Sequence, residues 1–378
     1  MFDILLSVAI AFTITFLAIP VIIFVAEGKK LYDVPDARKI HNTPIPSLGG
    51  LGIFAGFILS CLVMIPLVSL HASEFQYFFA AAFVIFFLGL KDDILDISPI
   101  KKFIGQVLAA FLIIYKGGVQ IQSMHGFLGL QELPPMFSLL FTYLTVIVII
   151  NSFNLIDGID GLAGSLGLMA CLAFGIYFSA LQMTPYAILA FALAGSLAAF
   201  LIFNFQPAKI FMGDTGSLLL GLLHAILVIK FITVASTPGV AIPIDAAPAV
   251  GFSVLLIPLM DTVRVFSIRI SHRRSPFSPD RNHIHHLLLD KGLSHRSITL
   301  LLVTANLLFM VLTYSLRSLG CTWLILGLFA LFFTGIGLLY YTRRQPRLFV
   351  AKKSNGQDAE VAASKIVPLT KDAVLEQK

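Results

Sequence analysis

Apolar residues fall in long runs along the chain, not at the spacing of a half-buried helix or strand in a water-soluble protein. Eleven runs, at roughly 3–26, 48–70, 74–91, 100–115, 135–152, 161–181, 185–203, 215–235, 248–268, 298–316 and 321–341, approach the length needed to cross a hydrocarbon layer of about 30 Å. Within such a layer a helix satisfies its own backbone N–H and C=O groups. The pattern therefore predicts an all-α polytopic membrane protein with about 11 transmembrane helices. Between the fourth and fifth runs, the alternation Val119-Gln120-Ile121-Gln122 followed by Ser-Met-His-Gly predicts a small hairpin. After Tyr341 the chain turns polar and charged with few aromatics, so residues 342–378 are expected to form a disordered tail.

Composition narrows this picture. Of the 378 residues 58% are hydrophobic and 12% charged, with a mean hydropathy of +0.93, whereas soluble domains carry about 25% charged residues. A globular cytosolic enzyme, a disordered chain and a secreted disulfide scaffold are excluded. Cys61, Cys171 and Cys321 all lie within apolar runs, which favours neither a disulfide framework nor a metal cluster. The net charge of +6 does not imply nucleic acid, because in a membrane protein the placement of the cations matters more than their sum. With the N-terminus outside, the inner loops and helix ends take every one of the 26 Lys and Arg except Lys116, Lys230 and Arg317. The positive-inside rule then places the C-terminus in the cytoplasm. Asp3 precedes the first run and Lys29 and Lys30 follow it, the reverse of a cleavable signal peptide, so this segment is expected to stay as an anchor.

The same topology, built without the acids, gathers Asp92, Asp93, Asp96, Asp157, Asp160, Asp214, Asp280 and Asp290 on the cytoplasmic side. Lys91-Asp92-Asp93-Ile94-Leu95-Asp96 ends the third run; if the helix continues, Asp92 and Asp96 share a face at i, i+4. Acids this close repel unless a cation intervenes, and oxygen-only ligands favour a hard ion such as Mg²⁺; a solvated helix cap is the competing reading. Lys101 and Lys102 follow, suited to anion binding or to plain anchoring. The stretch Asn151-Ser-Phe-Asn154-Leu-Ile-Asp157-Gly158-Ile-Asp160-Gly161 sets two Asn and two Asp at the rim of an apolar helix pair. They are expensive to bury there without partners, although turn formation alone would also explain them.

Asn204-Phe-Gln-Pro207-Ala-Lys209-Ile-Phe-Met-Gly213-Asp214-Thr215-Gly216-Ser217 leads into the eighth run. Asp214 is either that helix's N-cap or, at its positive end, the holder of a metal bridging an anionic group. After the ninth run come Asp261-Thr-Val-Arg264 and then Ser275-Pro-Phe-Ser-Pro-Asp280-Arg281-Asn282-His283-Ile-His285-His286. Only His283 and His286 would share a helical face, and a zinc site from these His alone lacks a thiolate partner. Imidazoles beside Arg281 serve equally as donors to phosphate or sugar oxygens, and a plain surface loop is the bland alternative. The first inner loop, from Asp33 through Arg38, Lys39 and His41 to Gly50, is basic and stiffened by three prolines; it is a solvated connector or a ligand contact.

No Walker GxxxxGK[ST] loop, GxGxxG fingerprint or HExxH motif occurs, which removes the usual support for ATP-driven transport, dinucleotide redox chemistry and zinc proteolysis. A cation- or proton-coupled membrane transporter is the alternative from another class, since intramembrane acids also mark ion paths. Here the acids cluster at one interface and form no relay through the bilayer.

Taken in order, DVPDARKIHNTPIPSLGG, LGLKDDILD, NSFNLIDGIDGLAG, NFQPAKIFMGDTGS and PDRNHIHH resemble the polyprenyl-phosphate N-acetylhexosamine-1-phosphate transferases (glycosyltransferase 4). The likeness is to the WecA/TagO branch, with MraY a more distant relative, and it extends to about residue 341. It implies a transmembrane catalytic domain over 1–341, a cytoplasmic tail over 342–378, and an active site at the cytoplasmic face of the bacterial inner membrane. The implied reaction transfers a HexNAc-1-phosphate, most often GlcNAc-1-phosphate, from a UDP-sugar to undecaprenyl phosphate and releases UMP. This would be the first membrane step of a cell-surface glycan of the O-antigen, enterobacterial common antigen or teichoic-acid type. Mg²⁺ is the implied cofactor, or Mn²⁺ in its place, and a homodimer is left open.

Carried over by motif, Asn154 and Asp214 are the expected metal ligands. Asp92 and Asp93 are the expected catalytic pair, with Asp157 and Asp160 beside the nucleotide and His283 also catalytic. His41, Lys101, Lys102, Asn204, Arg281, His285 and His286 are the expected substrate contacts. The peptidoglycan branch has an unbroken His triplet and a Lys where this chain has His41, so the pentapeptide-bearing substrate of MraY is not expected. The attacking group would be a phosphate monoester with a second pKa near about 6, already largely anionic at neutral pH. The obstacle is anion approaching anion, which a metal and positioned cations relieve. Asp92 and Asp93 are therefore expected to hold metal or orient the lipid phosphate, not to form a covalent phospho-enzyme.

Overall fold

The computed structural model describes residues 1–31, 45–68, 73–273 and 282–342. His41, Arg281 and the tail beyond residue 342 lie outside these segments. The described residues form α1 (Phe2–Lys29), α2 (Gly49–Val68), α3 (Glu74–Leu95), α4 (Pro99–Phe111), α5 (Pro135–Ile156), α6 (Leu162–Ala180), α7 (Thr184–Asn204), α8 (Gly213–Ala235), α9 (Ala247–Val254), α10 (Leu256–Ser271), α11 (Ile284–Leu289), α12 (His295–Ser315) and α13 (Cys321–Tyr341). A π-helical turn, Leu112–Lys116, continues α4.

Eight of these helices, α1, α2, α5 to α8, α12 and α13, are long and apolar enough to cross a membrane, and α9 with α10 makes a ninth if that bent pair is one span. The two other expected spans are helical as well: α3 over 22 residues, and α4 over 13 residues followed by its five-residue π turn. The chain is an all-α polytopic membrane protein. The expected hairpin between α4 and α5 is present as paired backbone without a regular strand. Met124 N–H donates to Gln131 O, Gly126 N–H to Leu130 O and Leu133 N–H to Gln122 O, each at 2.8 Å.

Burial sorts the helices into a centre and a rim. In its most apolar stretch α8 is 78% buried, against 17% for α1 and 22% for α13. Around α8 stand α2, α3, α5, α6 and α9. Three neighbours approach it at glycines, because small residues let membrane helices pack backbone to backbone. A Cβ on Gly50 of α2 would lie 2.2 Å from Gly216 N, on Gly89 of α3 2.5 Å from Thr215 Cα, and on Gly221 of α8 2.4 Å from Ile150 Cα of α5.

The ninth expected span is bent by 82° between α9 and α10. Pro258, near the start of α10, lacks an N–H and would clash with the carbonyl four residues back, so the helix cannot run straight through. Broken backbone inside a bilayer must find other partners. Asn306 of α12, fully buried, supplies them: its Oδ1 accepts Ile257 N–H at 2.9 Å, and its Nδ2 donates to Ser253 O at 3.2 Å and Val254 O at 3.1 Å.

Candidate active site

The site assembles at the N-terminal end of α8. Phe211 and Met212, just before that helix, pair with the segment leading into α2: Phe211 N–H donates to Pro46 O, Gly49 N–H to Phe211 O and Gly50 N–H to Met212 O, each at 2.8 Å. Gly213 turns the chain with φ +70°, a conformation that suits glycine, and α8 begins. Its first amides are capped from another helix. Asp93 of α3 accepts Asp214 N–H at 2.7 Å, Thr215 N–H at 3.0 Å and the Thr215 hydroxyl at 2.5 Å. A carboxylate is favoured here by the unpaired amides and by the helix dipole.

Asp92, one residue earlier, points into a different network. Its Oδ1 accepts Ile97 N–H at 2.8 Å and its Oδ2 lies 2.6 Å from Lys102 Nζ. The same ammonium donates to Asp214 Oδ2. The other oxygen of Asp214 accepts Asn154 Nδ2 at 2.9 Å, and Asn154 also donates to Ser217 Oγ at 3.0 Å. Asp92, Lys102, Asn154 and Asp214, from four different helices, thus meet around one positive charge. Asp96 does not join them: α3 stops at Leu95, and Asp96 turns away with φ +46°.

Asp157 follows the last residue of α5, is half-buried, and has no hydrogen-bond partner among the described residues. Burial, followed by the charges of Asp214, Asp93 and Asp160, pushes its carboxyl up to about 8. Asp160 and Asn204 hold the loops beside it. Asp160 Oδ2 accepts Ala208 N–H at 3.3 Å, its Oδ1 lies 3.3 Å from His295 Nδ1, and its carbonyl accepts the Thr299 hydroxyl at 3.0 Å. Asn204 accepts Gly161 N–H and donates to Ile210 O, both at 2.9 Å. These contacts fasten the loops bearing Asp157 and Asp214 to α12 and to each other. Lys101 is exposed and stands outside the network.

The histidines come from the loop over this end. His283 precedes α11 and lies 2.9 Å, through Nδ1, from Asp261 Oδ2 on α10. Its ring is parallel to that of His285 at 5.6 Å, and the His285 and His286 rings are 4.4 Å apart. His285 is buried with no hydrogen-bond partner on either nitrogen among the described residues, against Gly158, where a Cβ would come within 2.3 Å of Nε2. Burial first, then the His286 ring, pulls His285 down to about 3, so it is neutral near pH 7. Such an imidazole has one donor and one acceptor to offer a ligand.

Beside Lys102 a cavity of about 130 Å³ is lined by Ile97, Phe103, Leu155 and Phe266 together with Asn151, Asn154 and Arg269. Sequence reading assigned no site role to Asp261, Arg269 or His295. Buried Asp261 and Arg264, three residues apart in an apolar run, were a signal for the first of these: a charge pair there has a cost that some function must justify.

The donor set suits a hard cation. Asp92, Asp214 and the Asn154 amide offer only oxygens, and the Lys102 ammonium between the two carboxylates acts as a stand-in ion. No cluster of three or more His, Cys, Asp or Glu around one point occurs among the described residues. A metal here would therefore complete its shell with water and phosphate oxygens, as Mg²⁺ commonly does.

A helical membrane bundle whose buried acids and amides gather at one end, next to an apolar-walled cavity, belongs to the class of membrane-embedded enzymes that handle a charged group beside lipid. Residues 75–232, which contain all of α3 to α8 except their outermost residues, match the sequence model of Glycosyl transferase family 4. The chain is 33% identical over 315 residues to the undecaprenyl-phosphate alpha-N-acetylglucosaminyl 1-phosphate transferase of Yersinia pestis, covering 80% of this chain and 82% of the relative. It is 32% identical over 341 residues to a probable undecaprenyl-phosphate N-acetylglucosaminyl 1-phosphate transferase of Bacillus subtilis (87% and 89%). It is 33% identical over 319 residues to the decaprenyl-phosphate N-acetylglucosaminephosphotransferase of Mycobacterium leprae (76% and 77%). The chain belongs to glycosyl transferase family 4, in its WecA/TagO type.

Proposed function

We propose that this protein transfers GlcNAc-1-phosphate from UDP-GlcNAc to undecaprenyl phosphate at the cytoplasmic face of a bacterial inner membrane. The relatives' names supply the acceptor class and the transferred group. The observation that carries the reading is the convergence of Asp92 and Asp214, from separate helices, on the single Lys102 ammonium. An arrangement that can neutralise two carboxylates with one cation can also hold a diphosphate against a metal. In this reading all eleven apolar runs cross the bilayer with the N-terminus outside, supported by the distribution of Lys and Arg.

The chemistry follows from charge. A non-bridging oxygen of the lipid phosphate forms a bond to the sugar-bearing phosphorus of the donor, and the bond from that phosphorus to the UMP oxygen breaks, its electron pair leaving with UMP. Asp214, Asp92 and the Asn154 oxygen would hold Mg²⁺, which supplies charge neutralisation at the diphosphate. Lys102 and Arg269 border the cavity and suit the anionic lipid head, with Phe103, Leu155 and Phe266 against its first apolar units. Asp157 and His285 face the donor from the loop side. Asp93 holds the end of α8 and so fixes Asp214.

Incubating purified protein with UDP-GlcNAc, undecaprenyl phosphate and Mg²⁺ should yield UMP and a lipid-linked sugar diphosphate in equal amounts. Solute flux in proteoliposomes without UMP release would replace this reading with the transporter.

A further inference from the structure

The histidine loop is gripped from α10 by more than the one contact. Asp261 is 1% exposed, and its carboxylate accepts three groups: His283 Nδ1 at 2.9 Å, Ile284 N–H at 2.9 Å and Arg264 Nη2 at 3.0 Å. Arg264 also donates to Asn282 O, so residues 282, 283 and 284 are each held by this pair. A buried carboxylate is tolerated when its charge is paired and its lone pairs are used, and here every use points toward the loop or toward the residue that clamps it.

A clamp for the backbone alone would need only Ile284 N–H and Asn282 O. The contact to the imidazole does something further. With an ionised carboxylate on Nδ1, the proton must sit on that nitrogen, because the other tautomer would set a lone pair against Oδ2. Nε2 has no hydrogen-bond partner among the described residues and remains the nitrogen able to meet a ligand. The parallel stacking of His283 on His285 passes the same restraint to the ring that faces Gly158.

We infer that Asp261 is a positioning residue: it fixes the tautomer and orientation of His283 so that Nε2 is presented to the sugar-nucleotide donor. This rests on the reading of His283 as a donor contact. A carboxylate behind an imidazole is a recurrent way to orient it, and loss of such outer partners costs about 10- to 100-fold in comparable sites.

The test is a double-mutant cycle on the full-length purified protein, with UDP-GlcNAc and undecaprenyl phosphate as substrates and Mg²⁺ present. Asp261→Asn and His283→Ala should each lower kcat/KM for the donor by about 10- to 100-fold, leave KM for the lipid unchanged, and be non-additive. The double variant should be no slower than His283→Ala alone. If Asp261→Asn costs the same factor in the His283→Ala background as in the native one, Asp261 does not act through His283 and the inference falls. Normal turnover by His283→Ala would instead overturn the donor-contact reading, and this inference with it. Should Asp261→Asn not fold, Asp261→Glu keeps the charge at a shifted position and enters the same cycle.

Discussion

Asp93 and Thr215 sit on different helices, yet the carboxylate of one takes both the amide and the hydroxyl of the other, at 3.0 and 2.5 Å. The start of α8 is therefore capped by α3, and the two neighbouring acids of the Asp92-Asp93 pair have separate tasks. Asp93→Ala should destabilise the protein by about 1 kcal/mol or more, as loss of a helix cap does, and should weaken Mg²⁺ binding by releasing Asp214. Asp92→Ala should abolish turnover while melting within a few degrees of the native protein. Thermal melts of both variants in detergent, with and without Mg²⁺, check this; equal melting of the two would contradict the division.

Lys102 bridges Asp92 and Asp214 and so competes with any metal for the same oxygens. Lys102→Met should bind Mn²⁺ about tenfold more tightly, a change of ~1.4 kcal/mol, yet transfer should fall by at least about 100-fold because the lipid phosphate loses its cation. Calorimetric titration with Mn²⁺ and a UMP-release assay separate the two effects. Weaker metal binding by the variant would show that Lys102 does not occupy the metal's place.

Asp157 carries a pKa raised to about 8. The folded protein then binds a proton that the unfolded chain has released above its ordinary carboxylate range. Stability from this group is complete at low pH and is lost as pH rises through about 8. In the absence of divalent cations the melting temperature should decline between pH 5 and pH 9, and Asp157→Asn should flatten the decline. A steeper decline in the variant would mean that other groups govern it.

Asn306 satisfies the backbone where α9 turns into α10. Asn306→Leu leaves two carbonyls and an amide unpaired at membrane depth, so the variant should lose about 1–3 kcal/mol. Because α10 bears Asp261 and Arg269, activity should drop although the Asn306 side chain is fully buried and bonded to backbone alone. Retention of full activity by a destabilised variant would show that the bend is not what aims α10.

Much of this could be read in the chain before any coordinates. Apolar run length is nearly sufficient to define helices in a bilayer, which is why ten of the eleven runs each emerged as one helix, α4 with its π turn included, and one as a bent pair. The acids were also legible, since Asp92, Asp157 and Asp214 had no reason to lie at one rim otherwise. What stayed hidden was the division of labour. Asp92 and Asp93 are adjacent in sequence, and only the rotation of about 100° between successive helical residues sends one to Lys102 and the other to α8. Asp160 and Asn204 also brace the loops around the site, through Ala208 N–H, Gly161 N–H and Ile210 O, and those backbone partners could not be read from the sequence. Asp261 shows in the sequence only as a charge in an apolar run, because its partner His283 is 22 residues away across a loop.

The close approach of α2 and α3 to the first turn of α8 carries a cost for the enzyme's tolerance of change. Gly50 and Gly89 have no side chain with which to bind anything, yet one added methyl at either would act as a wedge under the turn that bears Asp214. The least forgiving positions of this protein then include two that hold no functional group at all. A mutational survey should find them as sensitive as the acids they support.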